Sequence, residues 1–278
     1  MQANCEKIGS MIKRLTIILA CACLMAACGE YNKVMKSSDL EYKYAYAKKA
    51  FENKRYAQAY TILTDLVPVF RGTPHAEESL YLLGMSYYEN KDYINSGSYL
   101  KQYYQRYPRG QYAELARFYA GYGFYLDSPE SQLDQTETLR AMEDLQAFLD
   151  YFPSSDKASL AQSALFELQD KLVLKELQNA TLYYNLGNYM GNNYESAVIT
   201  AQNAIKEYPY SKYKEDLEML VLKARFKEAN ESVPEKKVER FRTVIDEYYS
   251  FINDYPDSKM RKEADNIFKI ANRHVNGH

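Results

Sequence analysis

Tryptophan is absent from this 278-residue chain, and histidine is scarce. Of the three histidines, His75 lies in a predicted interhelix loop, and His274 and His278 lie in the C-terminal tail. This placement provides neither a metal-binding cluster nor a histidine base for catalysis. A glycine-rich phosphate-binding loop is also missing. The sequence therefore predicts a protein that is not an enzyme and that holds no cofactor or metal.

Neither sign of charge dominates the chain. Its 35 lysines and arginines and 37 aspartates and glutamates are interspersed and leave a net charge of −2. Nucleic-acid binding needs a basic stripe that neutralises phosphates, so the absence of such a stripe argues against this function. Tyrosine, in contrast, is abundant, with 29 residues against 11 phenylalanines. Because tyrosine joins an apolar ring to a polar hydroxyl, it suits both helix packing and a solvated binding surface.

The N-terminal segment has the pattern of an export signal. A short basic region (MIKR) is followed by thirteen uncharged residues, 15–27, which are too few to span a bilayer as a helix. This stretch ends in small residues before Cys28, as in the lipobox of bacterial lipoproteins. The sequence therefore predicts a signal peptide over residues 1–27, of which residues 1–10 would precede the true start codon. It also predicts that Cys28 is acylated and that residues 28–38 form a lipidated tether. The alternative is cleavage elsewhere, which would leave Cys28 incidental.

Internal repeats predict the fold. Four aromatic-proline pairs recur, and each has small or apolar residues twelve, eight and five positions before its proline. These offsets place the residues on one face of a helix, which the proline then ends. A fifth copy upstream has Phe70-Arg71 in place of the pair. The pairs are Tyr107-Pro108, Phe152-Pro153, Tyr208-Pro209 and Tyr255-Pro256, followed two residues on by Gly110, Ser155, Ser211 and Ser258, of which the serines can cap the next helix.

The second copy carries the whole tetratricopeptide pattern, in which Gly84 allows the paired helix to approach closely. The sequence therefore predicts an all-α, tetratricopeptide-type superhelical solenoid of about five helical hairpins plus a C-terminal helix. Repeats 1–3 are expected in residues 39–156, and repeats 4–5 with the closing helix in residues 157–278. The alternative is a nonrepetitive helical bundle whose prolines coincide by chance. The pattern consists of Leu80, Leu83, Gly84, Tyr87, Ser96, Leu100 and Pro108.

The prolines are spaced more widely than a single hairpin requires. Their intervals are 45, 56 and 47 residues, against a repeat of about 34, so some hairpins contain inserts. We expect loops over residues 127–137 and 231–237, a long first helix of the fourth repeat over residues 157–190, and the closing helix over residues 260–275.

With these features the sequence resembles the BamD family, the lipoprotein subunits of the bacterial outer-membrane β-barrel assembly machine, in its Bacteroidetes-like form. The resemblance covers Cys28, the opening segments 42–51 and 55–59, and all five hairpins. Its most specific stretch is in the fourth hairpin, where DKL, KE, YY and YESA lead into EYP at 207–209. The turn over residues 188–193 is longer than is usual in the family. The resemblance implies a scaffold that binds unfolded outer-membrane proteins and a BamA-like barrel-insertion subunit.

A groove lined by the first helices of the opening repeats is the candidate binding site. An extended peptide that ends in an aromatic residue could insert its ring there while tyrosine hydroxyls bind its backbone. The resemblance implies that this half of the chain recognises the C-terminal aromatic signal of barrel substrates. The alternative is that the aromatic side chains only pack between neighbouring repeats. The expected groove wall consists of Tyr44, Phe51, Tyr81, Met85, Tyr88, Phe118, Tyr122 and Tyr125.

The resemblance also implies that the C-terminal repeats hold the periplasmic domains of the barrel-insertion subunit, and we expect Arg240 and Arg261 to contribute to this docking.

Gly29, which follows the cysteine, is not the aspartate that retains lipoproteins in the inner membrane of enteric bacteria. Glu30 is the only acid before Lys33, whereas surface-exported lipoproteins of Bacteroidetes carry an acidic cluster directly after the cysteine. We therefore expect a lipid anchor in the outer membrane and a periplasmic face.

Two other classes of helical-repeat lipoprotein stay open. One class coordinates cell-wall synthesis or the Tol-Pal system and would bind peptidoglycan enzymes. The other comprises glycan-capturing lipoproteins of the SusD type, which are nearly twice as long and rich in the tryptophan that this chain lacks. Capture of a barrel-insertion subunit would separate the assembly function from the first alternative.

Overall fold

The computed structural model describes residues 29–277, and all regular secondary structure in this range is helical. The predicted signal peptide and Cys28 lie outside the described residues. The helices are α1 (29–35), α2 (Leu40–Glu52), α3 (Tyr56–Val69), α4 (Ala76–Glu89), α5 (Tyr93–Arg106), α6 (Ala113–Asp127), α7 (Thr136–Tyr151), α8 (Ala158–Leu186), α9 (Asn193–Glu207), α10 (Lys214–Asn230), α11 (Pro234–Asp254) and α12 (Arg261–Asn276).

The described residues form two compact units. The first unit contains residues 29–127 with Asp150–Pro153, and the second contains residues 128–149 with 154–277. In the first unit each helix from α2 to α6 packs against the next, and the first helices of successive hairpins also meet, α2 with α4 and α4 with α6. In the second unit α8 to α12 pack in the same way, with α8 against α10 and α10 against α12. This stacking confirms the predicted all-α, tetratricopeptide-type fold.

The aromatic-proline pairs end helices, as their sequence predicts. Tyr107, Tyr208 and Tyr255 are the C-caps of α5, α9 and α11, and the N–H of each donates to the carbonyl four residues earlier. Their backbone then leaves the helical region, with φ between −124° and −131°. Phe152 follows the last residue of α7 directly. The proline after each aromatic residue lacks an N–H donor, so the helix cannot continue.

The serines after these pairs do not cap the following helices, so that prediction was wrong. The N-caps of α8, α10 and α12 lie two residues further on and make no side-chain capping bond. Each serine hydroxyl instead accepts a hydrogen bond from that N-cap's own N–H, which stabilises the turn between hairpins. The bonds are Lys157 N to Ser155 Oγ at 3.0 Å, Tyr213 N to Ser211 Oγ at 3.3 Å and Met260 N to Ser258 Oγ at 2.9 Å.

An acid on the first helix of a repeat binds the turn that leads into the next repeat. Because these bonds join residues 34 to 43 positions apart, they hold neighbouring hairpins in register. They are Gln111 N to Glu77 Oε1 at 2.8 Å, Ser211 Oγ to Asp170 Oδ1 at 2.7 Å and Ser258 Oγ to Glu215 Oε1 at 2.6 Å.

The predicted inserts are confirmed with one correction. The non-helical residues 128–135 match the first predicted loop, α8 is the expected long helix, and α12 is the expected closing helix. The second loop, however, covers only residues 231–233, because α11 begins at Pro234. Proline has a helical φ and no N–H to lose in the first turn, so it starts this helix instead of extending the loop.

Candidate peptide-binding surface

Gly84 sets the distance between α4 and α5. A Cβ atom built on Gly84 would lie 2.6 Å from Leu100 Cδ2 and 3.3 Å from the Leu100 backbone nitrogen. Both residues are buried. This contact confirms the predicted close approach of the two helices.

Three of the eight predicted wall residues are buried. Tyr44, Met85 and Phe118 expose 4%, 6% and 1% of their surface. Tyr44 packs edge-on against Phe70, with ring centroids 5.3 Å apart, and its hydroxyl donates to Glu78 Oε2 at 2.6 Å. These three side chains therefore stabilise the helix stack, and a peptide could reach them only after local rearrangement.

Tyr81 and Tyr88 on α4 are partly exposed and belong to a cluster of tyrosines from α4, α6 and the turn before α6. Tyr81 stacks on Tyr112, with ring centroids 4.2 Å apart and planes at 4°. Tyr88 meets Tyr119 edge to face at 4.8 Å. Tyr122 on α6 is near enough to contribute to the raised pKa of Tyr88. We call Tyr81, Tyr88, Tyr112, Tyr119 and Tyr122 the tyrosine cluster.

The remaining predicted wall residues are on α2 and α6. Phe51, at the end of α2, packs edge-on against Tyr56 at 5.6 Å. Tyr122 stacks on Phe118 at 5.0 Å and also lies 5.0 Å from Tyr125. All three predicted residues, Phe51, Tyr122 and Tyr125, are partly exposed.

Burial makes the hydroxyls of Tyr81 and Tyr88 harder to ionise. It raises the pKa of Tyr81 and of Tyr88 well above the ordinary value for tyrosine, and neighbouring tyrosine hydroxyls add to this effect. A neutral hydroxyl can both donate and accept a hydrogen bond. The cluster can therefore offer ring edges to an apolar side chain and hydroxyls to a peptide backbone.

Tyr112 and Tyr119 were not among the predicted wall residues. Their spacing with Tyr122, seven and then three residues, is that of one helical face and could have indicated them. Tyr112 lies in the turn just before α6, where periodicity along the helix is a weak guide.

The two arginines expected to dock a partner both form ion pairs within the chain. Arg240 Nη2 lies 3.2 Å from the buried Glu228, and Arg240 also donates to the Ser232 hydroxyl. Arg261 Nε lies 2.9 Å from Asp265 Oδ1 on the same helix. Arg261 exposes 40% of its side chain and Arg240 34%. A partner protein would therefore have to share or displace the acidic side chain that each arginine already binds.

Over residues 29–277 no three histidine, cysteine, aspartate or glutamate side chains are grouped so that they could bind a metal ion. Within the same range no helix has the length and apolar character needed to cross a membrane.

Tandem helical hairpins with an aromatic surface on their first helices define a helical-repeat protein of the tetratricopeptide type. Residues 36–192, more than half of the chain, match the family model described as YfiO, outer membrane lipoprotein. The chain therefore belongs to this family of outer-membrane lipoproteins. The match includes the tyrosine cluster and ends before α9, so Arg240 and Arg261 lie beyond it. No curated protein matches the sequence significantly.

Proposed function

We propose that this protein is a non-enzymatic scaffold of outer-membrane protein assembly. Acylation of Cys28 anchors it in the outer membrane, with the helical repeats on the periplasmic face. The first unit binds unfolded β-barrel proteins, and the hairpins of α8 to α12 bind the barrel-insertion subunit. Membership of the outer-membrane lipoprotein family supports the location, and the resemblance to the BamD family supports the two partners.

The tyrosine cluster carries the proposal for substrate binding. Two ring pairs, Tyr81 with Tyr112 and Tyr88 with Tyr119, join α4 to α6 and to the turn before it, and Tyr81 and Tyr88 remain partly exposed. Unfolded barrel proteins offer extended segments with alternating apolar and polar side chains. A terminal aromatic ring would pack against the exposed parts of Tyr81 and Tyr88, and each such contact would contribute about 1 to 2 kcal/mol to binding.

The proposed docking surface for the barrel-insertion subunit includes Arg261 at the start of α12. Its surface pair with Asp265 leaves the guanidinium accessible, so a partner carboxylate can approach without loss of a buried contact. Arg240 contributes less directly, because it would have to leave the buried Glu228.

Photo-crosslinking in cells tests the function. A crosslinker in place of Tyr88 should capture outer-membrane β-barrel proteins, identified by mass spectrometry. The matched control replaces Tyr210, which is 88% exposed in the second unit, and should not capture them. Capture of peptidoglycan enzymes or Tol-Pal components from position 88, without barrel proteins, would contradict the proposal and favour a cell-wall function.

A further inference from the structure

The segment that follows Cys28 is part of the folded domain. Residues 29–35 form α1, and Val34 is fully buried in the core of the first unit. Tyr31 and Met35 pack against the same core, and the rings of Tyr31 and Tyr46 lie 6.3 Å apart. A hydrogen bond from Ser37 N to the Val34 carbonyl, 3.0 Å long, closes the turn toward α2. Residues expected to act as a tether are thus held by the domain.

This packing places the proposed anchor very close to the domain. Consecutive Cα atoms are about 3.8 Å apart, so the Cα of Cys28 lies about that far from the Cα of Gly29. A helix rises about 1.5 Å per residue, which puts Val34 only about 8 Å further along α1. The headgroup layer on each side of a bilayer is roughly 5 to 8 Å thick. An acyl group on Cys28 would therefore bring α1 to the level of the headgroups.

The side of α1 opposite Val34, continued into the turn after the helix, carries two lysines, and the exposed Glu30 of α1 pairs with Lys49 at 3.9 Å. Gly29, Asn32, Lys33 and Lys36 are exposed and have the spacing of one helical face, opposite Val34. The charge of this region differs from that of the whole chain, because residues 29–55 carry seven basic and four acidic side chains while the chain carries a net charge of −2. Lysines within a Debye length of about 8 Å from anionic phosphates are attracted to them.

We propose that α1 lies in the headgroup layer of the membrane that holds the anchor, with Lys33 and Lys36 on the phosphates of anionic phospholipids. This inference rests on the acylation of Cys28 in the proposed function. The first unit would then be fixed at the bilayer surface with α1 toward the lipid. The reason is that α1 begins directly after Cys28 and is itself packed on the core.

Fluorescence quenching in vesicles tests this placement. The lipidated full-length protein is reconstituted in vesicles that contain phosphatidylglycerol and a headgroup-spin-labelled lipid. An environment-sensitive label is attached to Asn32→Cys, which keeps both lysines, or to Lys101→Cys, an exposed control in the second hairpin. We expect quenching at position 32 to exceed that at position 101 several-fold. Equal quenching at both positions would overturn the proposal.

A linker variant separates the placement from the anchor itself. A flexible Gly-Ser insert of about 30 residues between Cys28 and Gly29, which spans roughly 30 Å, should leave the protein on the vesicles but lower quenching at Asn32→Cys toward the control level. Unchanged quenching would show that α1 does not depend on its short connection and would overturn the proposal. A protein that does not float with the vesicles would contradict the anchor, and the placement with it.

A charge variant tests the role of the lysines. Raising the salt concentration should lower quenching at Asn32→Cys about twofold, because screening weakens attraction to the phosphates. With Lys33→Gln and Lys36→Gln, quenching should start lower and depend little on salt. The same salt dependence with and without the two lysines would exclude them as phosphate ligands.

Discussion

Tyr81 and Tyr112 stack face to face across the junction of the second and third hairpins, with ring centroids 4.2 Å apart. The Tyr112 N–H donates to the Tyr103 hydroxyl at 3.0 Å, and that hydroxyl donates to Glu77 at 2.5 Å. The rings proposed to meet a peptide therefore also join neighbouring repeats. A variant of these rings can therefore lose binding through lost stability alone, and each such variant needs a control of similar stability.

Gly84→Ala should destabilise the protein, because the added Cβ would overlap the buried Leu100 and such overpacking costs about 1 to 3 kcal/mol. The better helix propensity of alanine offsets roughly 1 kcal/mol of this cost, so the net loss should reach about 2 kcal/mol. Gly84→Leu should cost more. Chemical denaturation measures the free energy of unfolding.

Gly123→Ala is the matched control, since it makes the same change within α6 with more room. Its Cβ would lie 3.2 Å from the nearest atom, Tyr93 Cδ1, against 2.6 Å at Gly84. We expect a clearly smaller loss of stability than for Gly84→Ala. If Gly84→Ala proved as stable as the unchanged protein, the close approach of α4 and α5 would not be a constraint.

Arg240→Glu should destabilise the second unit, because it places a carboxylate against the buried carboxylate of Glu228. Removal of one member of a buried ion pair costs about 3 to 5 kcal/mol, and Arg225, which also contacts Glu228, should reduce this loss. Arg240→Lys, which keeps the charge, is the control and should lose less. Thermal unfolding checks the order, and equal melting temperatures for all three proteins would contradict it.

The stability of the second unit should fall as the pH rises from about 10 to about 12. Burial and the hydrogen bond to Glu231 raise the pKa of Tyr194 to about 12, whereas an unfolded tyrosine titrates near 10. Between these values the unfolded state loses a proton that the folded state keeps, so unfolding becomes easier. Below pH 10 the contribution of Tyr194 is fully present.

Tyr194→Phe removes this titration and should make the alkaline fall in stability less steep by about one proton. Denaturation midpoints at several pH values, with tyrosinate absorbance to follow ionisation, provide the measurement. Identical pH dependence in both proteins would mean that Tyr194 titrates normally in the folded state.

The helix ends and the contact at Gly84 could be predicted because each depends on a local residue type. Proline after an aromatic residue removes a donor wherever it occurs, and a glycine at a helix crossing admits a close neighbour. The start of α11 is earlier than predicted, because Pro234 occupies the first turn of the helix, a position that proline favours as much as a loop.

The binding surface was harder to predict. Helical spacing indicates which residues share a face, but the burial of Tyr44 and Phe118 depends on which other elements cover that face. Arg240 has the charge of a docking residue, yet its partner Glu228 lies on another helix, and no local pattern connects the two. Sequence patterns thus predict the helices that carry the surface better than the side chains that form it.

Cys28→Ala should move the protein from the membrane to the soluble periplasmic fraction, because its proposed acyl chains provide the anchorage. Fractionation after a high-salt wash is the measurement, and the wash removes protein held only by a partner. The unchanged chain treated in the same way is the control and should stay with the membrane. A variant that resists the wash would argue against acylation at Cys28.

Tyr81→Ala with Tyr88→Ala should weaken capture of peptides that end in an aromatic residue. Loss of two ring contacts of about 1 to 2 kcal/mol each would lower the affinity roughly tenfold to a thousandfold. Fluorescence anisotropy with a labelled peptide ending in phenylalanine, compared with the same peptide ending in alanine, measures the effect. Association with the barrel-insertion subunit should persist, because the second unit is unchanged.

Tyr60→Ala with Tyr99→Ala is the matched control for the loss of two rings. Both rings stack on Tyr87 in the same unit, at 4.4 and 5.5 Å, but lie outside the tyrosine cluster. This variant should lose comparable stability and still bind the aromatic-ended peptide. Equal loss of binding in the two variants would mean that the effect follows stability alone. Undiminished binding after the loss of Tyr81 and Tyr88 would assign both rings to packing between repeats, and the cell-wall function would then become the better explanation.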